Sequence, residues 1–151
     1  MLTRGHTQSA ADGGSEPQWR GMEERTRTSI LIAEDNETNL QTVGDYLEDH
    51  GFRVLVARDG VEAIERLRTE EPALVLMDIQ MPVMDGLEAI RQIRADPALA
   101  GLPVIALTAL AMDGDRERCL RAGADDYLSK PVSLRELVRL IRQLLQQPDP
   151  A

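Results

Sequence analysis

Short apolar runs alternate with helical patterns along most of the chain, and this alternation constrains the fold more than any other feature. The apolar runs cover residues 30–33, 54–57, 74–77 and 104–107, with a weaker one at 127–128. Between them, apolar residues recur at intervals of three and four, which is typical of amphipathic helices. Five strand–helix units indicate one parallel sheet that is covered by helices on both faces.

Capping signals mark where several of the predicted helices begin. Asp59 stands three residues before Glu62, and Ser133 stands three residues before Glu136 in the capping-box pattern. Asp85 is the candidate N-cap of the third helix. Each of these positions follows an apolar run closely, so short loops are expected to join strands to helices.

Short loops and right-handed crossovers favour a flavodoxin-like, doubly wound α/β fold. We predict a five-stranded parallel sheet of order 2-1-3-4-5 with five helices on both faces. In this order the first and third strands are neighbours, at the point where the winding direction reverses. Ligands of open α/β sheets bind at that point, beyond the carboxyl ends of the strands. Functional side chains are therefore expected directly after these strands.

Three acidic residues follow the first and third strands directly. Glu34 and Asp35 come after the first strand, and Asp78 comes after the third. A buried strand has no structural need for a carboxylate at its end, and two carboxylates ~4 Å apart repel by roughly 4 kcal/mol at an effective dielectric of 20. Mg²⁺ offsets such repulsion and prefers hard oxygen ligands. The sequence therefore predicts a Mg²⁺ site at Glu34, Asp35 and Asp78.

Two more polar residues end predicted strands. Thr108 ends the fourth strand, and Lys130 follows the fifth and precedes Pro131. A metal-binding acid cluster with a nearby hydroxyl and ammonium group suits a phosphoryl group. The metal and Lys130 would neutralise its oxygens, and Thr108 would donate a hydrogen bond to one of them. One carboxylate oxygen would act as the in-line nucleophile.

Composition limits the partners and the compartment. The 151 residues suit one domain with tails, and the formal charge of -9 argues against nucleic-acid or anionic-membrane binding. No apolar run approaches the ~20 residues of a membrane span, and the N-terminus lacks the apolar segment of a secretory signal. The single cysteine, Cys119, excludes an internal disulfide and fits a reducing compartment. We predict a cytoplasmic protein.

Residues 1–28 differ from the rest of the chain in composition. They are rich in Gly, Ser, Gln, Arg and Glu and show no periodicity. Such a segment buries too little apolar area to order itself, so we predict a disordered tail or linker. The folded domain is predicted over residues 29–147, and residues 148–151 form a short C-terminal tail.

Four segments at predicted strand ends carry a resemblance to a known family. They read ILIAEDN, VLMDIQMPVMDG, PVIALTA and ADDYLSKP, in this order along the chain. Together they resemble the receiver domain of two-component response regulators. The resemblance covers about residues 29–147. Each segment alone is weak, but the four in sequence, each at a strand end, are highly specific.

The resemblance implies a role for each acid and for its neighbours. Asp78 would be the phospho-acceptor. Asp35 would ligate Mg²⁺ directly and Glu34 through a water molecule, while Asp78 and the backbone carbonyl of Gln80 would complete the ligands from the protein. Lys130 would pair with the phosphoryl oxygens.

The resemblance also implies a switch. Thr108 would move inward to hydrogen-bond the phosphoryl group, and the backbone N–H of Ala109 would assist it. Tyr127 would then turn into the space that Thr108 leaves. The Lys130–Pro131 peptide bond would be cis.

The partners follow partly from what the sequence lacks. It contains neither a phosphorelay histidine motif nor a nucleotide-binding Gly-rich loop, so a histidine kinase or a histidine phosphotransfer protein is expected to be the phosphodonor. A downstream protein is expected to bind the face formed by the fourth helix, fifth strand and fifth helix. A phosphorylation-linked homodimer stays open. The domain would phosphorylate itself and hydrolyse the product, without turning over a separate substrate.

Two alternatives remain beside a stand-alone regulator. The chain could be the receiver module of a hybrid histidine kinase, which would use the same site. A phosphatase of the haloacid-dehalogenase type also uses an aspartate nucleophile at a strand end with Mg²⁺, but it requires a second aspartate two residues later. This sequence has Gln80 there, which argues against the phosphatase.

Overall fold

The computed structural model describes residues 27–109 and 114–146. The predicted tails at 1–28 and 148–151 lie outside these residues, apart from Arg27 and Thr28, and so does the predicted end of the domain at residue 147. Within the described residues, strands and helices alternate from the first element to the last.

The architecture agrees with the predicted fold class. The strands are β1 (Ser29–Ala33), β2 (Arg53–Ala57), β3 (Leu74–Asp78), β4 (Val104–Thr108) and β5 (Asp126–Ser129). The helices are α1 (Glu37–Asp49), α2 (Gly60–Glu70), α3 (Gly86–Ala95), α4 (Asp115–Ala122) and α5 (Leu134–Leu144). All strand pairs are parallel, and their order is β2-β1-β3-β4-β5. The predicted order is confirmed.

The sheet separates two apolar cores. Leu31 and Val75 contribute to the core that packs against α2, α3 and α4. Ile30 and Leu74, the preceding residues on the same strands, contribute to the core that packs against α1 and α5. Side chains alternate between the faces of a strand, so continuous apolar runs such as those of β1, β3 and β4 supply both cores. The central strands are thereby held firmly, and their carboxyl ends have fixed positions.

Side-chain caps fix where four helices begin after these strand ends. Asp59, Asp85 and Ser133 accept hydrogen bonds from the backbone N–H three residues on, at 2.9, 2.9 and 3.3 Å, as the sequence predicts. The Asn36 side chain caps α1 by accepting a hydrogen bond from Asn39 N at 2.9 Å, a cap that was not predicted from the sequence. Each cap of this kind stabilises a helix by about 1 kcal/mol.

Among residues 27–109 and 114–146, none of the helices has the length and apolar character needed to cross a membrane.

Candidate functional site

Strand pairing brings the three predicted acids together. β1 and β3 are adjacent, with Ala33 opposite Met77, so Glu34 and Asp78 leave the sheet side by side. Carboxylate oxygens of Glu34, Asp35 and Asp78 all lie within 4.8 Å of one another. Glu34 and Asp78 are buried and Asp35 is exposed. Two buried carboxyl groups and an exposed one thus lie together at the carboxyl ends of β1 and β3.

Lys130 joins the two buried acids. Its Nζ donates to Glu34 Oε1 at 2.7 Å and to Asp78 Oδ2 at 3.0 Å. The pairing of Thr108 with Ser129 across β4 and β5 brings Lys130 to this edge, and Lys130 N donates to Thr108 O at 2.7 Å. The Lys130–Pro131 peptide bond is cis, in agreement with the resemblance. One ammonium group therefore compensates part of the charge of two buried carboxylates.

Backbone N–H groups hold the second oxygen of each buried acid. Asn36 N donates to Glu34 Oε2 at 3.2 Å, and Gln80 N donates to Asp78 Oδ1 at 3.0 Å. Asp78 is thus bonded on one oxygen by Lys130 and on the other by the loop that follows β3. These bonds orient its carboxylate before any ligand arrives.

Burial shifts the acid–base behaviour of the site. The pKa of Asp78 is raised to about 6 in total: loss of hydration on burial is the largest cause, the hydrogen bonds from Gln80 and Lys130 act against the rise, and the nearby charge of Glu34 adds to it. Burial by itself would lower the pKa of Lys130, but its hydrogen bonds to Glu34 and Asp78 outweigh burial and leave that pKa above its usual value. At neutral pH the site therefore contains an ionised Asp78 beside a firmly protonated lysine.

The structure places the other predicted residues around this cluster. Thr108 is fully buried at the end of β4, and Ala109 is exposed directly after it. Tyr127 of β5 pairs with Ala106 of β4. Its side chain is half-buried and packs against the core that contacts α2, α3 and α4. Because paired residues and residues two apart share a face, the side chains of Thr108 and Tyr127 lie on the same face of the sheet.

A cavity of about 520 Å³ lies beside Asp35 and the loop that follows β3. Asp35 and Gln80 line it from the loops that follow β1 and β3, and Arg118 lines it from α4. Arg118 also donates to Asp115 Oδ1 at 2.9 Å. Arg118 was not predicted from the sequence, because an arginine on a helix rich in charged residues gives no sign of facing a site. A larger cavity of about 640 Å³ lies at the C-terminal ends of α2 and α3, and none of the three acids lines it.

This fold and this cluster define a signalling domain of known type. Residues 30–142 match the family model of the response regulator receiver domain, and the chain belongs to that family. The comparisons do not favour the haloacid-dehalogenase alternative.

Individual relatives show how similar this chain is to known receiver domains. The chain is 41% identical over 117 residues to the polar-differentiation response regulator DivK of Brucella anthropi, an alignment that covers 78% of this chain and 95% of the relative. The solved receiver domain of a sensor histidine kinase from Pseudomonas aeruginosa PAO1 is 39% identical to this chain, with a TM-score of 0.75. The match covers 81% of this chain and 100% of the solved one, which has a magnesium ion coordinated in its active-site cleft. The signal receiver domain of a histidine kinase from Syntrophus aciditrophicus is 36% identical with a TM-score of 0.74, over 79% of this chain and 90% of its own.

Proposed function

We propose that this receiver domain accepts a phosphoryl group on Asp78 in a Mg²⁺-dependent reaction and thereby switches a protein-binding surface. One observation carries the proposal: Lys130 Nζ bonds both Glu34 and Asp78, and a carboxylate oxygen of Asp35 lies within 4.8 Å of theirs. This arrangement combines a buried nucleophile, a cation for phosphoryl oxygens and a set of hard oxygen ligands in one hollow.

The donor set fits Mg²⁺. Asp35, Asp78 and the backbone carbonyl of Gln80 would hold the ion directly, and Glu34 would hold it through water. All of these groups are oxygen donors, which Mg²⁺ prefers, and a mixture of one or two carboxylates with water is its usual coordination. When bound, Mg²⁺ supplies positive charge that neutralises phosphoryl oxygens. The Pseudomonas receiver domain, with magnesium in its cleft, supports this assignment.

The residues of the chain supply the rest of the chemistry. An oxygen of ionised Asp78 attacks the phosphorus of a phosphohistidine; the new O–P bond forms as the P–N bond breaks, and the imidazole leaves with its electron pair and takes up a proton. Lys130 pairs with the phosphoryl oxygens, and the Thr108 hydroxyl and Ala109 N–H donate to them. Attack of water on the phosphorus later releases inorganic phosphate and restores the carboxylate.

The phosphodonor is a histidine kinase or a histidine phosphotransfer protein, and no separate substrate is turned over. Inward movement of Thr108 and rotation of Tyr127 change the face formed by α4, β5 and α5, where a downstream protein or a second copy of the chain binds. Phosphorylation needs only to bias a two-state equilibrium at this face. The protein acts in the cytoplasm, where such partners occur.

A stand-alone regulator is favoured over the receiver module of a hybrid histidine kinase. The alignment with the Brucella regulator covers 95% of that relative, so the relative contains little beyond a receiver domain. The proposed chemistry is the same in either case, because it depends only on residues of the receiver domain.

The test is phosphorylation by a small acyl phosphate with Mg²⁺, followed by intact mass. We expect one labile adduct of about 80 Da, the mass of a phosphoryl group, that is absent without Mg²⁺ and absent in Asp78→Asn. Asp85→Asn is the matched control, because Asp85 follows the same strand but caps α3, and asparagine also caps helices. An adduct that persists in Asp78→Asn, or that the parent chain never forms, refutes the proposal.

A further inference from the structure

Gly60 allows an unusually close contact between α2 and the loop that follows β3. It is the first residue of α2, and its N–H donates to Met84 O at 3.1 Å. A Cβ at this position would lie 2.5 Å from Met84 O, 2.8 Å from Met84 Cβ and 2.9 Å from Met84 Cγ. Backbone conformation does not require glycine here, since Gly60 is not among the residues with positive φ. The need for glycine is therefore steric, and the obstacle is mainly a backbone atom.

Met84 belongs to the short loop between β3 and α3, whose two ends are joined by a hydrogen bond. At the base of this loop, Gly86 N donates to Ile79 O at 3.2 Å. A Cβ on Gly86 would lie 2.2 Å from Asp78 O, so glycine is needed at this end as well. Between these points, Gln80 N donates to Asp78 Oδ1 at 3.0 Å. A shift at Met84 therefore has to be absorbed within residues 80–85, the segment that includes Gln80.

Backbone strain in the loop indicates that specific contacts hold its shape. Val83 has φ of 67° although it is β-branched, and its side chain is 83% exposed. Such a residue disfavours the left-handed region, and an exposed side chain gains no packing energy in return. Strained backbone persists where surrounding contacts determine it: Met84 N donates to Pro82 O at 2.7 Å across Val83, and the close contacts at Gly60 and Gly86 lie on either side of this turn.

We propose that Gly60 is a positioning residue for the metal site. Because it lets α2 pack closely against Met84, it fixes the positions of the Gln80 carbonyl and the Asp78 carboxylate. This inference rests on the proposed function. With a Cβ at residue 60, Met84 O has to move by about 0.9 Å to reach an ordinary contact distance, and a displacement of about 1 Å is enough to impair a preorganised site. Mg²⁺ is sensitive to such a shift because it demands near-ideal octahedral geometry.

The test compares Gly60→Ala with the parent chain by calorimetric titration with Mg²⁺, at a temperature where both are folded. We expect the Mg²⁺ Kd to rise about tenfold or more, as happens when groups that support metal ligands are altered. Gly101→Ala is the matched control, because a Cβ there meets no heavy atom within 4 Å, and its Kd should equal that of the parent. Alanine is a better helix former than glycine, so the substitution should not weaken α2 through helix propensity.

A kinetic measurement separates positioning from general damage. The Mg²⁺ concentration that gives half-maximal phosphoryl uptake should rise in Gly60→Ala, while the rate at saturating Mg²⁺ returns toward that of the parent. An unchanged Kd in folded Gly60→Ala overturns the inference and leaves the proposed function standing. A parent chain that binds Mg²⁺ but never gains the Asp78 adduct refutes the proposed function alone, and one that binds no Mg²⁺ refutes both. Should Gly60→Ala fail to fold in buffer, the titration is repeated on both chains in sucrose, which favours the folded state, and an unchanged Kd there is equally contrary.

Discussion

Replacement of Asp78 by asparagine should stabilise the metal-free protein. Ionised Asp78 is costly in the folded state because burial raises its pKa from 3.8 to about 6. Each pKa unit corresponds to roughly 1.4 kcal/mol, so the ionised group costs the folded state about 3 kcal/mol at pH 7.5. Asparagine resembles the neutral carboxyl group, with one oxygen that accepts hydrogen bonds and one group that donates. We therefore expect Asp78→Asn to raise the free energy of unfolding by about 2 to 3 kcal/mol at pH 7.5.

The pH dependence follows from the direction of the shift. Since the pKa is higher in the folded state, the parent chain loses stability as pH rises from about 4 to about 6, the interval in which only the unfolded state has released the proton. Below this interval both states are protonated and the difference disappears. The free energy of unfolding of Asp78→Asn should therefore exceed that of the parent by only about 1 kcal/mol at pH 4.5.

Urea denaturation in the presence of a chelator, at pH 7.5 and pH 4.5, measures both values. Asp85→Asn serves as the control, because it removes an exposed charge and keeps the cap of α3; its stability should match that of the parent at either pH. The reasoning is refuted if Asp78→Asn is no more stable than the parent at pH 7.5, or if its advantage is the same at both pH values. Saturating Mg²⁺ should narrow the difference at pH 7.5, because only the parent retains all the proposed ligands.

Three further changes test other parts of the structure. Mg²⁺ at ten times its Kd should stabilise the parent by ~1.4 kcal/mol, and Asp35→Asn should abolish this increment in a thermal melt; an increment that survives contradicts the assigned ligand. Asp59→Ala should lower the urea midpoint by the equivalent of about 1 kcal/mol, since it removes the cap of α2, whereas Asp59→Asn should not. Arg94 donates to Gly123 O and Asp125 Oδ2, at 2.8 and 2.9 Å. Arg94→Met should therefore lower the free energy of unfolding by about 1 to 3 kcal/mol, and a loss below about 0.5 kcal/mol would contradict a stabilising role for these bonds.

The element order and the positions of the acids were predictable because both depend on local sequence. A buried strand of a parallel sheet is a short apolar run, and Glu34, Asp35 and Asp78 stand where such runs end. The sheet order then required only general rules of chirality and connection. The cap at Asn36 was equally local but was missed, because two acids precede it and a third follows it, so that no single residue marks the start of α1.

The chemistry of the site was decided by tertiary structure. Glu34 and Lys130 are 96 positions apart, yet their charged groups approach to 2.7 Å. The raised pKa of Asp78 comes mainly from burial, which no sequence pattern measures. The contact between Gly60 and Met84 is of the same kind, since a glycine near a helix start has many explanations until the opposing backbone is in place.

The sequence by itself thus determined which strands form, how they are ordered and which edge of the sheet bears the acids, because hydrophobic periodicity and strand ends are properties of neighbouring residues. Only the tertiary structure decided which charges share a hydrogen bond, how far water is excluded from them and how tightly the loop after β3 is held. Those quantities depend on distances between segments that are remote along the chain, and they are fixed by the packing of the two cores on the sheet.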